Sequence, residues 1–262
     1  MSTDANETQI PDISEDIAAN IQDVKSKIKD VLLEQNLPED SVRLVAVSKT
    51  KPIPYLMAAY NTGQRHFGEN YAQELLSKAD EMPEDIKWHF IGPLQSNKAN
   101  ALVKGLGLDK LACVETVSTF KLANKLSNAV KSLKEEKGEN STNASKLGIY
   151  IQVNTSGEET KSGVNSASET VDLVKEIVQS ECNEHLSIDG LMTIGAPGDF
   201  TCFDMLVECR KAVAEELGVE ESSLVLSMGM SGDYEEAIKR GATSVRVGST
   251  IFGARDYSKR NN

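Results

Sequence analysis

Residues Leu224–Thr250, LVLSMGMSGDYEEAIKRGATSVRVGST, contain the pattern that decides the fold. A short apolar run at Leu224–Leu226 is followed by a turn of small residues and a helical stretch at Tyr234–Arg240. A second apolar run at Thr243–Val247 again precedes a turn of small residues, Gly248–Thr250. Strands that alternate with helices in this way are typical of a parallel sheet covered by helices.

The same alternation extends over most of the chain. Several of the apolar runs are continuous, as expected of strands that are buried on both faces. Eight such units in 262 residues predict an α/β fold, a single (β/α)8 barrel of the TIM type. An open doubly wound sheet is the alternative, because the number of strands alone does not close a barrel. The candidate strands are Val42–Ser48, Arg65–Gly68, Lys87–Ile91, Lys110–Val114, Leu147–Val153, Ser187–Met192, Leu224–Leu226 and Thr243–Val247.

An additional helix is predicted before the first strand. From Ser14, the expected N-cap, apolar residues recur at steps of three and four and so share one helical face. Residues 1–13 are acidic and polar and are expected to form a flexible tail, and residues 14–262 to form the barrel domain. The polar segment Glu135–Lys146, EEKGENSTNASK, is expected to be an exposed loop. The apolar positions of the helix are Ile17, Ile21, Val24, Ile28 and Val31.

The charge balance argues against several classes of function. The chain has 28 Lys+Arg and 40 Asp+Glu, a formal net charge of −12, and no basic run that would favour nucleic acid or an anionic membrane. No window approaches the ~20 apolar residues of a membrane helix, and the start, MSTDANETQI, lacks the features of a secretory signal. We therefore expect a cytoplasmic protein with free cysteine thiols, and a monomer, because no exposed apolar stripe is evident in the sequence. Cys182 and His185 lack a second ligand pair, so no metal site is expected.

Lys49 is the candidate for covalent chemistry. It follows the first predicted strand in Val45–Pro52, VAVSKTKP, and has the same parity as Val45 and Val47. If these valines point into the barrel, Lys49 points into the barrel mouth. A partly desolvated amine there can form a Schiff base with an aldehyde or ketone, because burial lowers an amine's pKa. The alternative is a solvated lysine at a strand end, and Lys51 is the rival amine.

Two turns at the last two strand ends are candidates for phosphate binding. Ser227–Asp233, SMGMSGD, and Gly248–Thr250, GST, are rich in small residues and each opens onto a helix. Backbone N–H groups and hydroxyls of such turns can bind phosphate without a net positive protein. Phosphate sites recur in barrels after strands seven and eight. The alternative is a pair of ordinary connecting loops.

Several isolated polar residues have two interpretations. Arg246 lies between two valines of a strand expected to be buried, so it either forms an internal salt bridge or donates to a ligand. Asn70 and Asn97 follow strands and are natural N-caps, which is the favoured interpretation, and the alternative is that they reach the barrel mouth. Asn154 could reach the same mouth or only turn the chain. We interpret His89 as a hydrogen-bonded core histidine.

A strand-end lysine and a phosphate-binding turn in one barrel mouth indicate a ligand with a carbonyl and a phosphate. Pyridoxal 5′-phosphate (PLP) fits this description, and so do the phosphorylated sugars of Schiff-base aldolases. The nucleotide-binding motifs G-x-x-x-x-G-K-[ST] and G-x-G-x-x-G between a strand and a helix are missing, as is the hydrolase motif G-x-S-x-G.

Six strings, spread in order from about Val42 to Gly253, resemble the pyridoxal phosphate homeostasis protein family. The family is similar in fold to the barrel domain of alanine racemase and lacks the second, β-rich domain of that enzyme. The acidic N-terminal extension and the loop at Glu135–Lys146 depart from the family pattern. The strings are VAVSKTKP at 45–52, HFGENYAQE at 66–74, WHFIGPLQSNK at 88–98, LMTIG at 191–195, LSMGMSGDYEEAI at 226–238 and VRVGSTIFG at 245–253.

The resemblance implies a role for seven residues. Lys49 carries PLP as a Schiff base, Arg246 faces the pyridine nitrogen, and Asn70 lies near the cofactor. The phosphate contacts it implies come from Met230, Ser231, Gly248 and Ser249.

The resemblance also implies a protein that holds and supplies PLP, with PLP-dependent apoenzymes as partners and without an established catalytic reaction. An arginine holds its own proton too tightly to protonate the ring nitrogen, so the ring is a poorer electron sink than one paired with an aspartate. None of the six tyrosines can be assigned as the second base that a racemase needs. The alternative function is a PLP-dependent racemase or a related amino-acid-processing enzyme.

Overall fold

A computed structural model describes residues 13–138 and 145–254. Its eight strands are β1 (Arg43–Val47), β2 (His66–Glu69), β3 (Lys87–Phe90), β4 (Leu111–Val117), β5 (Leu147–Gln152), β6 (Leu186–Met192), β7 (Val225–Met230) and β8 (Ser244–Val247). The helices are α1 (Ile13–Glu34), α2 (Ile53–Asn61), α3 (Ala72–Glu81), α4 (Ala99–Lys110), α5 (Phe120–Lys137), α6 (Ala167–Val178), α7 (Thr201–Leu217), α8 (Tyr234–Lys239) and α9 (Ser249–Phe252).

The eight strands form a closed parallel barrel in chain order. β1 pairs with β8 in register Val45↔Arg246, and this pairing closes the sheet. The predicted (β/α)8 barrel is therefore confirmed and the open sheet is excluded. No helix in the described ranges is long and apolar enough to cross a membrane.

Alternate residues of each strand build two different environments. Leu44 and Ala46 of β1 pack in the large core between the barrel and its helices. Val45, on the opposite face, is fully buried inside the barrel, where a side chain on Gly68 would meet it. Parallel strands covered by helices are buried on both faces, which is why their sequences lack a simple polar alternation.

Helix α1 covers the barrel where α9 is too short to do so. The buried face of α1, Ile17 to Leu32, packs against α2, α8 and α9. Asn20 Nδ2 donates to the carbonyl oxygen of Ile251 at 3.0 Å and fixes α1 to the four-residue α9. The predicted extra helix is confirmed, but it begins at Ile13, so Ser14 lies within its first turn and is not the N-cap.

Most predicted boundaries agree with the structure to within one residue, but three differ by about three residues or more. α5 continues through Lys137 to a left-handed C-cap at Gly138, so the first residues of the predicted loop Glu135–Lys146 are helical, and 139–144 lie outside the described residues. β4 runs on to Val117 and β7 to Met230, although both were expected to end earlier. The extensions carry polar side chains that face the barrel interior, which the apolar pattern did not reveal.

Candidate functional site

One pocket opens at the carboxyl ends of the strands. Its volume is about 320 Å³, within the range of small-molecule sites. Of the seven residues that the resemblance implied, six line it and Asn70 does not. The residues that line it are Val47, Lys49, Lys51, Ile91, Met230, Ser231, Gly232, Arg246, Gly248, Ser249 and Gly253.

Lys49 enters this pocket from the end of β1. Val47, two residues earlier, lines the same pocket, which is the shared parity that the sequence predicted. Lys49 is half-buried in this pocket. The next residue, Thr50, has a φ of 65°, a left-handed conformation that a β-branched residue adopts only when its surroundings impose it.

A buried ion-pair cluster imposes the conformation of the Lys49 segment. Lys78 of α3 pairs with Glu69 at 2.7 Å and Glu74 at 2.6 Å, and it donates to the carbonyl oxygen of Ser48 at 2.8 Å. Glu69 accepts from the Ser48 hydroxyl, and Glu74 accepts from the backbone N–H of Thr50, each at 2.6 Å. The residues on both sides of Lys49 are therefore held by three charged side chains that the sequence had not identified.

Lys51 lines the same pocket but is held by the chain's own backbone. Its Nζ donates to the carbonyl oxygens of Phe252 at 2.7 Å and Ala254 at 2.9 Å, and it lies 5.6 Å from the centre of the Tyr55 ring. A nitrogen bonded to two backbone carbonyl oxygens is less available to attack a ligand than one without these bonds.

The two small-residue turns meet at the hydroxyl of Ser231. Its Oγ accepts from the backbone N–H groups of Gly248 at 3.1 Å and Thr250 at 3.3 Å. Met230, at the end of β7, is held by a hydrogen bond from its backbone N–H to Asp233 at 2.6 Å. The turns predicted from the sequence thus form one polar wall of the pocket, with Ser231 between them.

Arg246 supplies the buried cationic wall. Only 4% of it is exposed. Its Nη1 donates to the hydroxyl of Ser227 and its Nη2 to the carbonyl oxygen of Thr193, both at 2.7 Å. Among the described residues Arg246 forms no direct salt bridge, since it is anchored by neutral groups inside the barrel, and its donation to a ligand in the pocket that it lines stays a prediction.

Comparisons with known proteins identify the family. The model of the alanine racemase N-terminal domain matches residues 15–256. The pyridoxal phosphate homeostasis protein of Schizosaccharomyces pombe is 43% identical over 233 residues, which cover 87% of this chain and 90% of the relative. The chain belongs to the pyridoxal phosphate homeostasis protein family.

Two further relatives agree with this assignment. The pyridoxal phosphate homeostasis protein of Homo sapiens is 43% identical over 237 residues, covering 86% of this chain and 81% of the relative. The structure of PipY from Synechococcus elongatus with PLP bound has a TM-score of 0.67 and 29% identity, and the match covers 90% of this chain and all of PipY.

Behind the pocket, this homeostasis-family barrel contains a chain of buried polar side chains. Glu115 of β4 accepts from the Ser227 hydroxyl at 2.5 Å and from His89 Nδ1 at 2.7 Å. His89 Nε2 lies 2.9 Å from His66 Nδ1. His89 is a hydrogen-bonded core histidine, as the sequence indicated. Glu115 was not identified, because it lies beyond the apparent end of an apolar run, and Ser227 was noted only as the first residue of a predicted phosphate-binding turn.

The same chain contains a group of metal-ligand types. The potential ligand atoms of His89, Cys113 and Glu115 lie within 4.8 Å of one another. Each already has a hydrogen-bonding role, since Glu115 accepts from His89 and the Cys113 sulfur lies 3.1 Å from His89 Nδ1. Burial and the charge of Glu115 raise the pKa of the Cys113 thiol and keep it protonated. The sequence-based expectation of no metal site stays a prediction.

Asn70 lies beside the pocket without lining it. Its buried Oδ1 is one of the side-chain atoms in the described ranges that have no hydrogen-bond partner. A side chain on Gly92 would collide with the Asn70 carbonyl oxygen at 2.2 Å, so only glycine permits this approach of the two turns. The N-cap interpretation of Asn70 is wrong, because α3 has Tyr71 at its N-cap.

The other two asparagines have local structural roles. Asn97 lies inside a short 3-10 helix, Ser96–Lys98, so the N-cap interpretation of Asn97 is also wrong. Asn154 Nδ2 donates to the carbonyl oxygen of Glu158 at 3.0 Å and to Asn165 Oδ1 at 3.2 Å. Asn154 therefore turns the chain, and it does not line the pocket.

His66 makes the stability of this fold dependent on pH. Burial, followed by the effects of His89, Arg43 and Lys87, lowers the pKa of His66 from 6.5 to about 3. The unfolded chain protonates His66 below about pH 6.5, whereas the folded chain does not until about pH 3. The free energy of unfolding is therefore expected to fall as the pH decreases from about 6.5.

The variant His66→Gln isolates this contribution. We expect its free energy of unfolding, measured by urea denaturation, to decrease less than that of the wild type between about pH 7 and about pH 5. Parallel pH dependences of the two proteins would exclude His66 as the cause.

Proposed function

We propose that this protein binds PLP as a Schiff base on Lys49 and takes part in PLP homeostasis by holding the cofactor reversibly. The observation that carries the proposal is the arrangement of one pocket. This pocket is lined by Lys49 at the end of β1, by a polar wall of Ser231, Gly248 and Ser249, which we call the Ser231 wall, and by the guanidinium of Arg246. These groups match the aldehyde, the phosphate and the ring nitrogen of PLP, respectively.

Each group has a separate task in the proposed site. When bound, PLP supplies an aldehyde that condenses with an amine and a ring that can withdraw electrons. Lys49 provides the amine, in a segment fixed by Lys78, and the N–H groups and hydroxyls of the Ser231 wall bind the phosphate. Met230 closes this wall at the end of β7, and Asn70 supports the neighbouring turn from outside the pocket.

Arg246 favours a carrier over a catalyst. Its guanidinium donates hydrogen bonds and keeps its own proton, so it does not supply one to the pyridine nitrogen. The unprotonated ring withdraws electrons less strongly, and proton removal from a bound amino acid is correspondingly slower. We propose that the protein delivers PLP to PLP-dependent apoenzymes and acts as a cytoplasmic monomer without a reaction of its own.

The absorbance spectrum on addition of PLP tests the proposal. We expect purified protein to become yellow with a stoichiometry of one, and borohydride to bleach the colour by fixing the cofactor to the chain. A protein that stays colourless in excess PLP would contradict the proposal.

A racemase is the second candidate, supported by the match to the alanine racemase N-terminal domain. It predicts exchange of the α-proton of added amino acids with deuterated solvent, and loss of that exchange in Lys49→Ala. Exchange no faster than with free PLP would leave the carrier as the better explanation.

A carboxylate at Ser231 is expected to weaken PLP binding by more than tenfold. In Ser231→Asp a negative charge competes for the backbone N–H groups of Gly248 and Thr250 and repels the phosphate, an effect of about 1.4 kcal/mol or more. The matched control is Ser222→Asp, which adds the same charge at an exposed position before β7. Fluorescence titration with PLP measures both affinities, and equal affinities would exclude the Ser231 wall as the phosphate site.

A further inference from the structure

The chain of buried side chains behind the pocket has a defined direction. Arginine has no acceptor atoms, so in the contact between Arg246 and Ser227 the hydroxyl oxygen accepts. The single proton of that hydroxyl is then left to donate to Glu115 Oε2, which lies 2.5 Å away. The Ser227 hydroxyl therefore accepts a hydrogen bond from the Arg246 guanidinium and donates one to the Glu115 carboxylate.

Glu115 is held as an anion in this position. It is completely buried, and burial raises its pKa, but the hydrogen bond and charge of His89, the charge of Arg246 and the hydrogen bond of Ser227 outweigh burial and lower the pKa overall. Its two oxygens are shared between Ser227 and His89. A buried anion with both oxygens occupied is a fixed point in the barrel interior.

The guanidinium of Arg246 is fixed by the same chain. Its Nη1 is bonded to Ser227, which is oriented by Glu115, and its Nη2 is bonded to the backbone carbonyl of Thr193. Two hydrogen bonds from different nitrogens define the plane of the guanidinium, and the anion compensates its charge. Arg246 lines the pocket, whereas Glu115 and Ser227 do not.

We propose that Glu115 is a positioning residue which, acting through the Ser227 hydroxyl, holds the guanidinium of Arg246 against the ligand ring. The proposal rests on the proposed function, because the ring belongs to PLP. It adds to that function two residues that do not touch the ligand. Without Glu115 or without Ser227 the Arg246 guanidinium is no longer held in one orientation. Either substitution therefore weakens PLP binding, and both change the environment of the bound ring in the same direction.

A double-mutant cycle tests the proposal. Ser227→Ala and Glu115→Gln are prepared alone and combined with Arg246→Lys, whose ammonium cannot make the two-nitrogen contact. Asp189→Asn is the control, since Asp189 is a partly buried carboxylate of β6 whose interactions are with Ser187 and Arg43. For each protein, fluorescence titration measures PLP affinity, absorbance gives the maximum of the bound cofactor, and peptide mapping after borohydride locates it.

We expect Ser227→Ala and Glu115→Gln each to weaken PLP binding about tenfold, which is the size expected for loss of a hydrogen bond to a charged group. We expect both variants to shift the absorbance maximum of the bound cofactor in the same direction. In the Arg246→Lys background the further loss is expected to be less than about twofold. If Glu115→Gln does not fold, Ser227→Ala alone tests whether the hydrogen bond to Arg246 contributes to PLP binding.

Two outcomes would overturn the proposal. One is an equal loss of affinity with and without Arg246→Lys. The other is an effect of Ser227→Ala no larger than that of Asp189→Asn. Both leave the proposed function intact when wild-type protein still carries PLP on Lys49, and wild-type protein without that adduct overturns the proposed function as well.

Discussion

Lys49→Ala is expected to abolish covalent fixation of PLP and to weaken its binding by at least about a hundredfold. The variant keeps Arg246 and the Ser231 wall but removes the amine that forms the bond to the aldehyde. A hundredfold loss corresponds to about 2.8 kcal/mol, because each 1.4 kcal/mol is about tenfold in affinity. Absorbance titration and borohydride reduction measure the two effects separately.

Lys51→Ala is the matched control for Lys49→Ala. Both lysines line the pocket, but the Lys51 ammonium is bonded to the carbonyl oxygens of Phe252 and Ala254. The control is expected to retain full fixation of PLP after borohydride. Fixation that survives Lys49→Ala and disappears in Lys51→Ala would mean that the wrong amine has been assigned.

Lys78→Met is expected to lower the free energy of unfolding by about 3–5 kcal/mol, the usual cost of leaving one partner of a buried ion pair alone. The Lys78 side chain is 8% exposed and the Glu69 side chain is 0% exposed, so water cannot solvate the abandoned carboxylate. Burial raises the pKa of Glu69, and the charge and hydrogen bond of Lys78 oppose that rise. Urea denaturation monitored by circular dichroism measures the loss.

Two further variants separate this effect from ordinary loss of a surface charge. Lys27→Met removes a lysine from the solvent-exposed pair with Asp23 and is expected to leave the denaturation midpoint unchanged. The double variant Glu69→Gln/Lys78→Met is expected to recover much of the lost stability, because the fully buried carboxylate is then neutral and the remaining one, Glu74, is 24% exposed. If Lys78→Met and Lys27→Met had the same urea denaturation midpoint, the stabilising role of the buried ion pairs of Lys78 would be contradicted.

The barrel could be predicted from the sequence because its signals are local. The strands are four to seven residues long and most contain a short apolar run, and turns or helical periods separate the runs. The parity of Val45, Val47 and Lys49 indicated that Lys49 could point into the mouth, although it left a solvated strand-end lysine as the alternative. The turns around Ser231 and Gly248 were identified for the same reason, since small residues at strand ends are visible without knowledge of the fold.

The polar interior could not be predicted, because its signals depend on contacts between distant residues. Glu115 and Ser227 are 112 positions apart, and each interrupts an apolar run, so each was placed outside its strand. Lys78 and Glu69 are ordinary helix and strand-end residues in the sequence, and only the packing of α3 on the barrel buries them together. Asn70 was weighed as an N-cap because asparagine favours that position, whereas α3 begins two residues later.

The location of the cofactor adduct tests the central proposal most directly. Wild-type protein loaded with PLP is reduced with borohydride, digested and analysed by mass spectrometry. A single pyridoxyl modification on Lys49 is the predicted result. A modification on Lys51 or on a lysine outside the pocket, or the absence of any modification, would contradict the proposed site.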